Sequence, residues 1–234
     1  MRHPLVEPVD TPAVEPSPGR RLILLRHGRT AWNRIERGQG HADVELDDLG
    51  HAQAVAAAAY LALLSPTGLW SSDLARTRQT CAYLEKETGL VATYDARLRE
   101  FDLGARTGLT IAEFAECYPV EHAAWARHDD SVRLPGAETT AEVAARIVPA
   151  LGDVLAALDP GQTGIVVTHG AALKVGLAVL LGWNVEAERS VAGMDNCAWA
   201  SLAESEYAGR LRLHGYNESV RPGHVTPLVL PDES

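Results

Sequence analysis

Apolar residues in this chain fall into two kinds of pattern. Short uninterrupted runs occur at Leu22-Ile23-Leu24-Leu25, Gly68 to Ser71, Val91 to Tyr94 and Gly164-Ile165-Val166-Val167-Thr168. They lack the alternation of a half-exposed strand, and their length predicts strands buried on both faces. Longer segments with helical spacing lie between them. Asp47 precedes an Ala- and Leu-rich stretch and predicts a capped helix over 48–64; Asp73 does the same for 74–88. Thr110-Ile111-Ala112-Glu113 and Thr139-Thr140-Ala141-Glu142 fit capping boxes, and each opens a helical pattern. The run at 164–168 passes at once into a helix reaching about residue 181. Cys197 to Leu202 and Arg210 to His214 predict a terminal hairpin.

Strands alternating with helices predict an α/β fold, a three-layer α/β/α sandwich with a mainly parallel sheet, and the final hairpin adds one antiparallel edge strand. Residues 1–19, with prolines at 4, 8, 12, 16 and 18, read as a disordered Pro-rich arm, and 219–234 as a flexible tail. The folded domain is then 20–218.

Composition narrows the function by exclusion. Thirty-one acidic against 21 basic residues give a net charge of −10, which weighs against a nucleic-acid partner or an anionic membrane surface. No apolar stretch is long enough to predict a transmembrane helix. Lys86 and Lys174 are the only lysines, so an anion site would be built mostly from the planar forks of arginine. Cys81, Cys117 and Cys197 are widely spaced and odd in number, which fits neither a disulfide framework nor a zinc site and suits a reducing cytoplasm. No apolar segment follows Arg2, so a secretory signal is not expected. His122, His128, Asp129 and Asp130 read as a polar loop rather than as metal ligands, and no metal or other cofactor is expected. Trp70, Trp183 and Trp199 read as packing residues.

Ligands in parallel sheets bind at the carboxyl ends of the strands. Two predicted strands end there in the same step: one runs into Arg26-His27-Gly28 and another into His169-Gly170. Two imidazoles at two strand ends on one edge of a sheet can face each other, and each glycine lets backbone approach a ligand closely.

These residues carry a resemblance. Leu25-Arg26-His27-Gly28-Arg29-Thr30-Ala31-Trp32-Asn33 resembles the RHG signature of the histidine phosphatase superfamily, which has the phosphoglycerate-mutase-like fold. Ser71-Ser72-Asp73-Leu74-Ala75-Arg76-Thr77-Arg78-Gln79-Thr80 resembles its second arginine motif, Leu98-Arg99-Glu100 with Leu103-Gly104 its acid/base segment, and Thr168-His169-Gly170 its second histidine. The motifs stand in the family's order. The resemblance implies that His27 is the nucleophile and becomes phosphohistidine. It implies that Arg26, Arg76, His169 and Gly170 form the phosphate pocket, that Asn33 donates its amide to phosphate oxygens, and that Gln39 and Gly40 lie in a loop contacting the phosphate. Glu100 is implied as the proton donor, with Asp102 as a competitor two residues on. Arg29 and Arg37 are placed either against a substrate carboxylate or at the surface.

The chemistry is coherent on its own terms. A neutral imidazole attacks phosphorus and splits one hydrolysis into two displacements. Two arginines, a protonated His169 and an amide can hold the three equatorial oxygens, so catalysis becomes positioning and electrostatics without a metal.

The branch follows from departures. Glu100 is followed by Phe101-Asp102-Leu103-Gly104, not by the Arg-His-Tyr-Gly of the cofactor-dependent mutases. The segment before Pro135-Gly136-Ala137-Glu138-Thr139 is short, and that element resembles the PGGES of the phosphatases. Position 106 lacks the aromatic residue that many phosphatases carry between the two glycines. The implied activity is a metal-independent phosphomonoesterase with an open pocket. Arg37-Gly38-Gln39-Gly40, Gln53 to Ala58, Gly193 to Trp199, and Arg212-Leu213 to Tyr216-Asn217 resemble members that act on glucosyl-3-phosphoglycerate. A broad-specificity acid phosphatase, an α-ribazole-type phosphatase and a cofactor-dependent phosphoglycerate mutase remain as alternatives. A non-catalytic phospho-ligand binder is the alternative of another class, and it would have lost His27 or Glu100. The expected partner is a small-molecule phosphomonoester. A homodimer, common among the relatives, could form through the hairpin edge.

Overall fold

The structure is a computed structural model and describes residues 19–127, 129–205 and 210–220. The arm over 1–19 and the tail over 219–234 lie outside the described residues, apart from residues 19, 219 and 220. In chain order the elements are β1 (Arg21–Arg26), α1 (Ala31–Arg34), α2 (Asp48–Ala62), β2 (Gly68–Ser71), α3 (Ala75–Thr88), β3 (Thr93–Tyr94), α4 (Ile111–Cys117), α5 (Pro119–Ala126), α6 (Thr140–Ala156), β4 (Thr163–Thr168), α7 (Gly170–Leu180), β5 (Trp199–Glu204) and β6 (Leu211–Glu218). Three short 3₁₀ turns, Ala96–Leu98, Gly104–Arg106 and Val185–Ser190, lie between them.

One six-stranded sheet runs β3-β2-β4-β1-β5-β6. β3, β2, β4 and β1 are mutually parallel, β5 is antiparallel to β1, and β6 is antiparallel to β5. Every residue of β4 is buried, and so are Leu22 to Leu25, as strands covered on both faces require. On one face, Ile147, Leu151 and Val154 of α6 and Leu173 and Leu177 of α7 pack on Leu22, Leu24 and Val166. On the other, Ala54, Ala58 and Leu61 of α2 and Cys81 and Leu84 of α3 pack on Ile23, Leu25, Ile165 and Val167. The result is the expected three-layer α/β/α sandwich.

Capping follows the sequence at most helices. Asp47 Oδ1 accepts from Gly50 N at 2.8 Å, and Thr110/Glu113 and Thr139/Glu142 close capping boxes. A capping box between Thr30 and Asn33 builds α1, a single turn that the sequence reading does not include.

Two expectations need correction. Asp73 does not cap α3, which starts at Ala75 with Leu74 at the N-cap. Arg99 instead binds the Asp73 carboxylate with two bonds of 2.6 and 2.5 Å, and Asp43, from a distant loop, accepts from Ala75 N at 2.6 Å. β3 covers only Thr93–Tyr94, because Val91 stands in solvent at 87% exposure. The expected antiparallel edge is present: β5 and β6 form the terminal hairpin, and β6 is the outer strand.

Pairing of β1 with β4 positions the site. Arg26 is opposite Thr168, and His27 N donates to Thr168 O at 3.0 Å, so both strands end at one level. β2 ends beside them, where Ser72 N donates to Val167 O at 3.0 Å.

Candidate active site

The level strand ends bring His27 and His169 together, with ring centroids 5.2 Å apart. His27 is buried, and its Nδ1 lies 2.7 Å from Gly28 O. A carbonyl only accepts, so Nδ1 carries the proton and Nε2 keeps its lone pair. Burial holds the His27 imidazole well below the ordinary histidine range, and the cations of Arg76 and Arg26 push the same way. His27 is therefore neutral at neutral pH. The turn that follows it is tight. Gly28 N donates to Thr80 Oγ1 at 3.0 Å, and a Cβ on Gly28 would lie 2.5 Å from Gly50 O, so α2 and the loop touch backbone to backbone.

Arg76 is fully buried. Its Nη1 and Nη2 donate to the carbonyls of Ala42 and Gly40, each at 2.8 Å, and its Nε to His169 Nδ1 at 3.2 Å. Burial lowers its pKa to about 10, which leaves it a cation at neutral pH. Gly40 has φ +50, and a Cβ there would crowd Leu103 N at 3.0 Å; the left-handed turn aims its carbonyl at Arg76. Arg26 donates to Met194 O, while its Nε is buried without a partner. Gln39 likewise keeps Oε1 buried and unpartnered. Asn33 Oδ1 is taken by Thr30 and by Asn196 Nδ2, the latter at 3.3 Å, which leaves the Asn33 amide protons to be given elsewhere.

The protonated His169 expected among the phosphate ligands is not what this geometry holds. Arginine can only donate, so His169 Nδ1 accepts and Nε2 carries the proton toward Ser72 Oγ at 2.9 Å. Burial, with Arg76 adding to it, holds His169 well below its ordinary range. It stands behind Arg76, off the cleft wall. Gly170 is also off the wall. A Cβ at Gly170 would meet Arg26 Nε at 3.3 Å, so this position makes room for the guanidinium.

Glu100 closes the opposite side. Its carboxylate accepts from Ala171 N at 3.1 Å, Ala172 N at 2.9 Å and Phe101 N at 3.0 Å, and so caps the start of α7 across a large sequence distance. Asp102 turns Oδ1 to Gly104 N at 2.9 Å, with His41 Nδ1 3.6 Å from its other oxygen. A cleft of about 490 Å³ joins these groups, a size ordinary for small-molecule sites. Arg26, His27, Asn33, Gln39, Gly40, Arg76 and Glu100 line it. Arg37 lines it too, tied to Glu113, whereas Arg29 pairs with Asp47 at 2.8 Å away from the wall. Sequence reasoning gave no role to Ser72, Asn196 or Arg106; the polar residues beside a motif were the available signal for the first two. Among the described residues no group of three or more His, Cys, Asp or Glu side chains is arranged to hold a metal ion, and His128 lies outside the described residues. Among them, too, no helix is long and apolar enough to cross a membrane.

Comparison with known proteins gives the family. Residues 22–217 match the histidine phosphatase superfamily, branch 1. The glucosyl-3-phosphoglycerate phosphatase of Mycobacterium tuberculosis H37Rv is 39% identical over 191 residues, covering 79% of this chain and 85% of the relative. A Salmonella choleraesuis protein named "Probable phosphoglycerate mutase GpmB" is 34% identical over 189 residues, with coverages of 79% and 85%. The solved structure of a mycobacterial glucosyl-3-phosphoglycerate phosphatase with VO3 superposes with a TM-score of 0.78 at 38% identity, over 86% of this chain and all of that one.

Proposed function

The chain belongs to branch 1 of the histidine phosphatase superfamily, and on that footing we propose that it is a glucosyl-3-phosphoglycerate phosphatase working through a phosphohistidine at His27. It is a hydrolase of phosphoric monoesters, and its substrate is a small phosphate ester. The observation that carries the reading is the fixed tautomer of His27, with Nδ1–H on Gly28 O and the lone pair on Nε2 kept available in a buried site near Arg76 and Arg26.

In the proposed first step, His27 Nε2 attacks phosphorus and the bond from phosphorus to the ester oxygen breaks. Arg26, Arg76, Asn33 and the Gln39 amide hold the equatorial oxygens. His169, through its bond to Arg76 Nε, orients that guanidinium. Glu100 gives its proton to the departing alkoxide. The carboxylate then takes a proton from water as that water attacks the phosphohistidine, releasing phosphate and neutral His27. Positive charge in the step comes from arginine, so chelators are expected to leave the rate unchanged; a strict requirement for added magnesium would contradict this. A cytoplasmic location belongs to the proposal, and three cysteines held as thiols suit a reducing compartment.

Mixing with phosphate-labelled substrate and quenching in base tests the intermediate. Label should appear on His27, stable to base and lost in acid. Turnover by His27→Ala within tenfold of the wild type would remove His27 as nucleophile.

A further inference from the structure

Among the positive groups of the cleft is one that the phosphoryl chemistry does not use and that no carboxylate of the described residues holds. Arg106 sits on the 3₁₀ turn Gly104–Arg106. Its guanidinium carbon lies 4.4 Å from the centre of the Trp125 ring and 4.9 Å from that of Phe114. Two aromatic faces fix the plane of the side chain and cover much of it. Its Nε is buried without a hydrogen-bond partner. Two other cations of the cleft are matched by carboxylates: Arg37 pairs with Glu113 and Arg133 with Glu142. Among the described residues no carboxylate pairs with Arg106, although Glu121, Asp129 and Asp130 line the same cleft. Burial lowers its pKa, with no neighbouring acid to offset this.

A partly desolvated guanidinium with no counter-ion is costly to maintain and is a ready-made partner for an incoming anion. The turn that carries it packs on the loop that frames the phosphate pocket. Gly108 N donates to Gly38 O at 2.8 Å, and a Cβ on Gly38 would meet Leu103 at 2.9 Å. Two residues further on, Gly40 O holds Arg76. One loop therefore connects the turn that carries Arg106 to the carbonyl that holds Arg76.

We infer that Arg106 is a specificity-determining residue that binds the carboxylate of a phosphorylated hydroxy acid while the phosphoryl group sits between Arg26 and Arg76. The inference rests on the proposed function for the identity of the acid, a glycerate, but the selectivity it claims does not require that a sugar be attached. The guanidinium presents a planar pair of donors to the carboxylate oxygens, and the Phe114 and Trp125 rings hold that pair in place before the substrate arrives.

The test is calorimetric binding in the His27→Ala background, where no turnover is needed. The probes are 3-phosphoglycerate and glycerol 3-phosphate, which differ in the carboxylate. With Arg106 present, 3-phosphoglycerate should bind about 10- to 100-fold more tightly, the range set by a charge-assisted hydrogen bond. Arg106→Met keeps an unbranched apolar stem between the two rings and should bring the two affinities to within about threefold. Its effect should fall on 3-phosphoglycerate and leave glycerol 3-phosphate nearly unchanged. Arg106→Lys keeps the charge without the fork and should fall between. Equal weakening of both probes in Arg106→Met would make Arg106 a structural pin, and equal binding of both with Arg106 present would overturn the inference outright. Steady-state hydrolysis of glucosyl-3-phosphoglycerate by the wild type is a separate readout. If it is poor while the binding preference holds, the proposed substrate fails and Arg106 keeps its role. If it is efficient while the preference is absent, the reverse is true.

Discussion

In the proposed reaction His27 is a nucleophile that never has to lose a proton first. Its carbonyl partner selects the tautomer, and burial with two neighbouring arginines keeps the ring neutral below the ordinary value of 6.5. The acid limb of kcat/KM against pH should accordingly lie below 6.5, and a limb at or above 6.5 would mean an exposed, unshifted imidazole. The same burial has a cost in acid. An unfolded chain takes up protons on His27 and His169 near pH 6.5, whereas the folded chain does not until lower pH. Their contribution to stability is thus complete above about 6.5 and is lost as the pH falls, by up to about 1.4 kcal/mol per pH unit for each histidine. Urea melts between pH 7.5 and 5 measure this. For Glu100, substitution by Gln should slow alkyl phosphates by about 10²–10⁴-fold and aryl phosphates far less, since an aryl oxide leaves without a proton. Equal losses would point to its place at the start of α7 instead, or to Asp102. The places of His27 and Arg76 beside the cleft were legible because each follows a strand end, whereas Glu100 was singled out by the resemblance of its segment. The neutral state of His169 and the orphaned Arg106 were not legible. They depend on which side chains from far along the chain surround them, and no local pattern encodes that.

Helix starts and loop carbonyls do most of the positioning at the level of elements. Arg76 is carried on the first turn of α3, and that turn is capped by Asp43, one residue after the Ala42 carbonyl that holds the same arginine. Asp43→Ala should destabilise the fold by about 0.5–2 kcal/mol, the usual worth of a cap. It should also raise KM for every phosphate ester, because the loop and the helix lose their common anchor. A thermal melt with steady-state kinetics checks both, and an unchanged KM would show that the two carbonyl bonds suffice. This cap also explains why Asp73 was misread. It occupies a favourable sequence position, yet Arg99 binds its carboxylate with two bonds and holds it below the usual carboxylate range. Competition of this kind has no local signature. The strands of the sheet were legible as uninterrupted apolar runs, except that Val91 is apolar and still exposed, so the β3 run was read too long.

Taken as a whole, the molecule has an open cleft beside a level row of strand ends, with a short two-helix segment, α4 and α5, bordering it. A mutase must exclude water and retain its intermediate under a closing lid. Given 3-phosphoglycerate, this enzyme should release phosphate and glycerate with little 2-phosphoglycerate, and added 2,3-bisphosphoglycerate should not stimulate isomerisation. Isomerisation outrunning phosphate release would promote the mutase reading. The register of β1 on β4 has one more consequence, and it concerns time rather than geometry. These strands are neighbours in the sheet but lie far apart in the sequence, so their pairing must wait for a long loop to close. His27 and His169 meet only through that pairing. A chain still emerging from the ribosome can fold α2 and α3 against early strands, yet it has no reaction centre until β4 has been made. Recovery of phosphatase activity during refolding should lag the return of helical signal, and the delay would time the closure of the sheet.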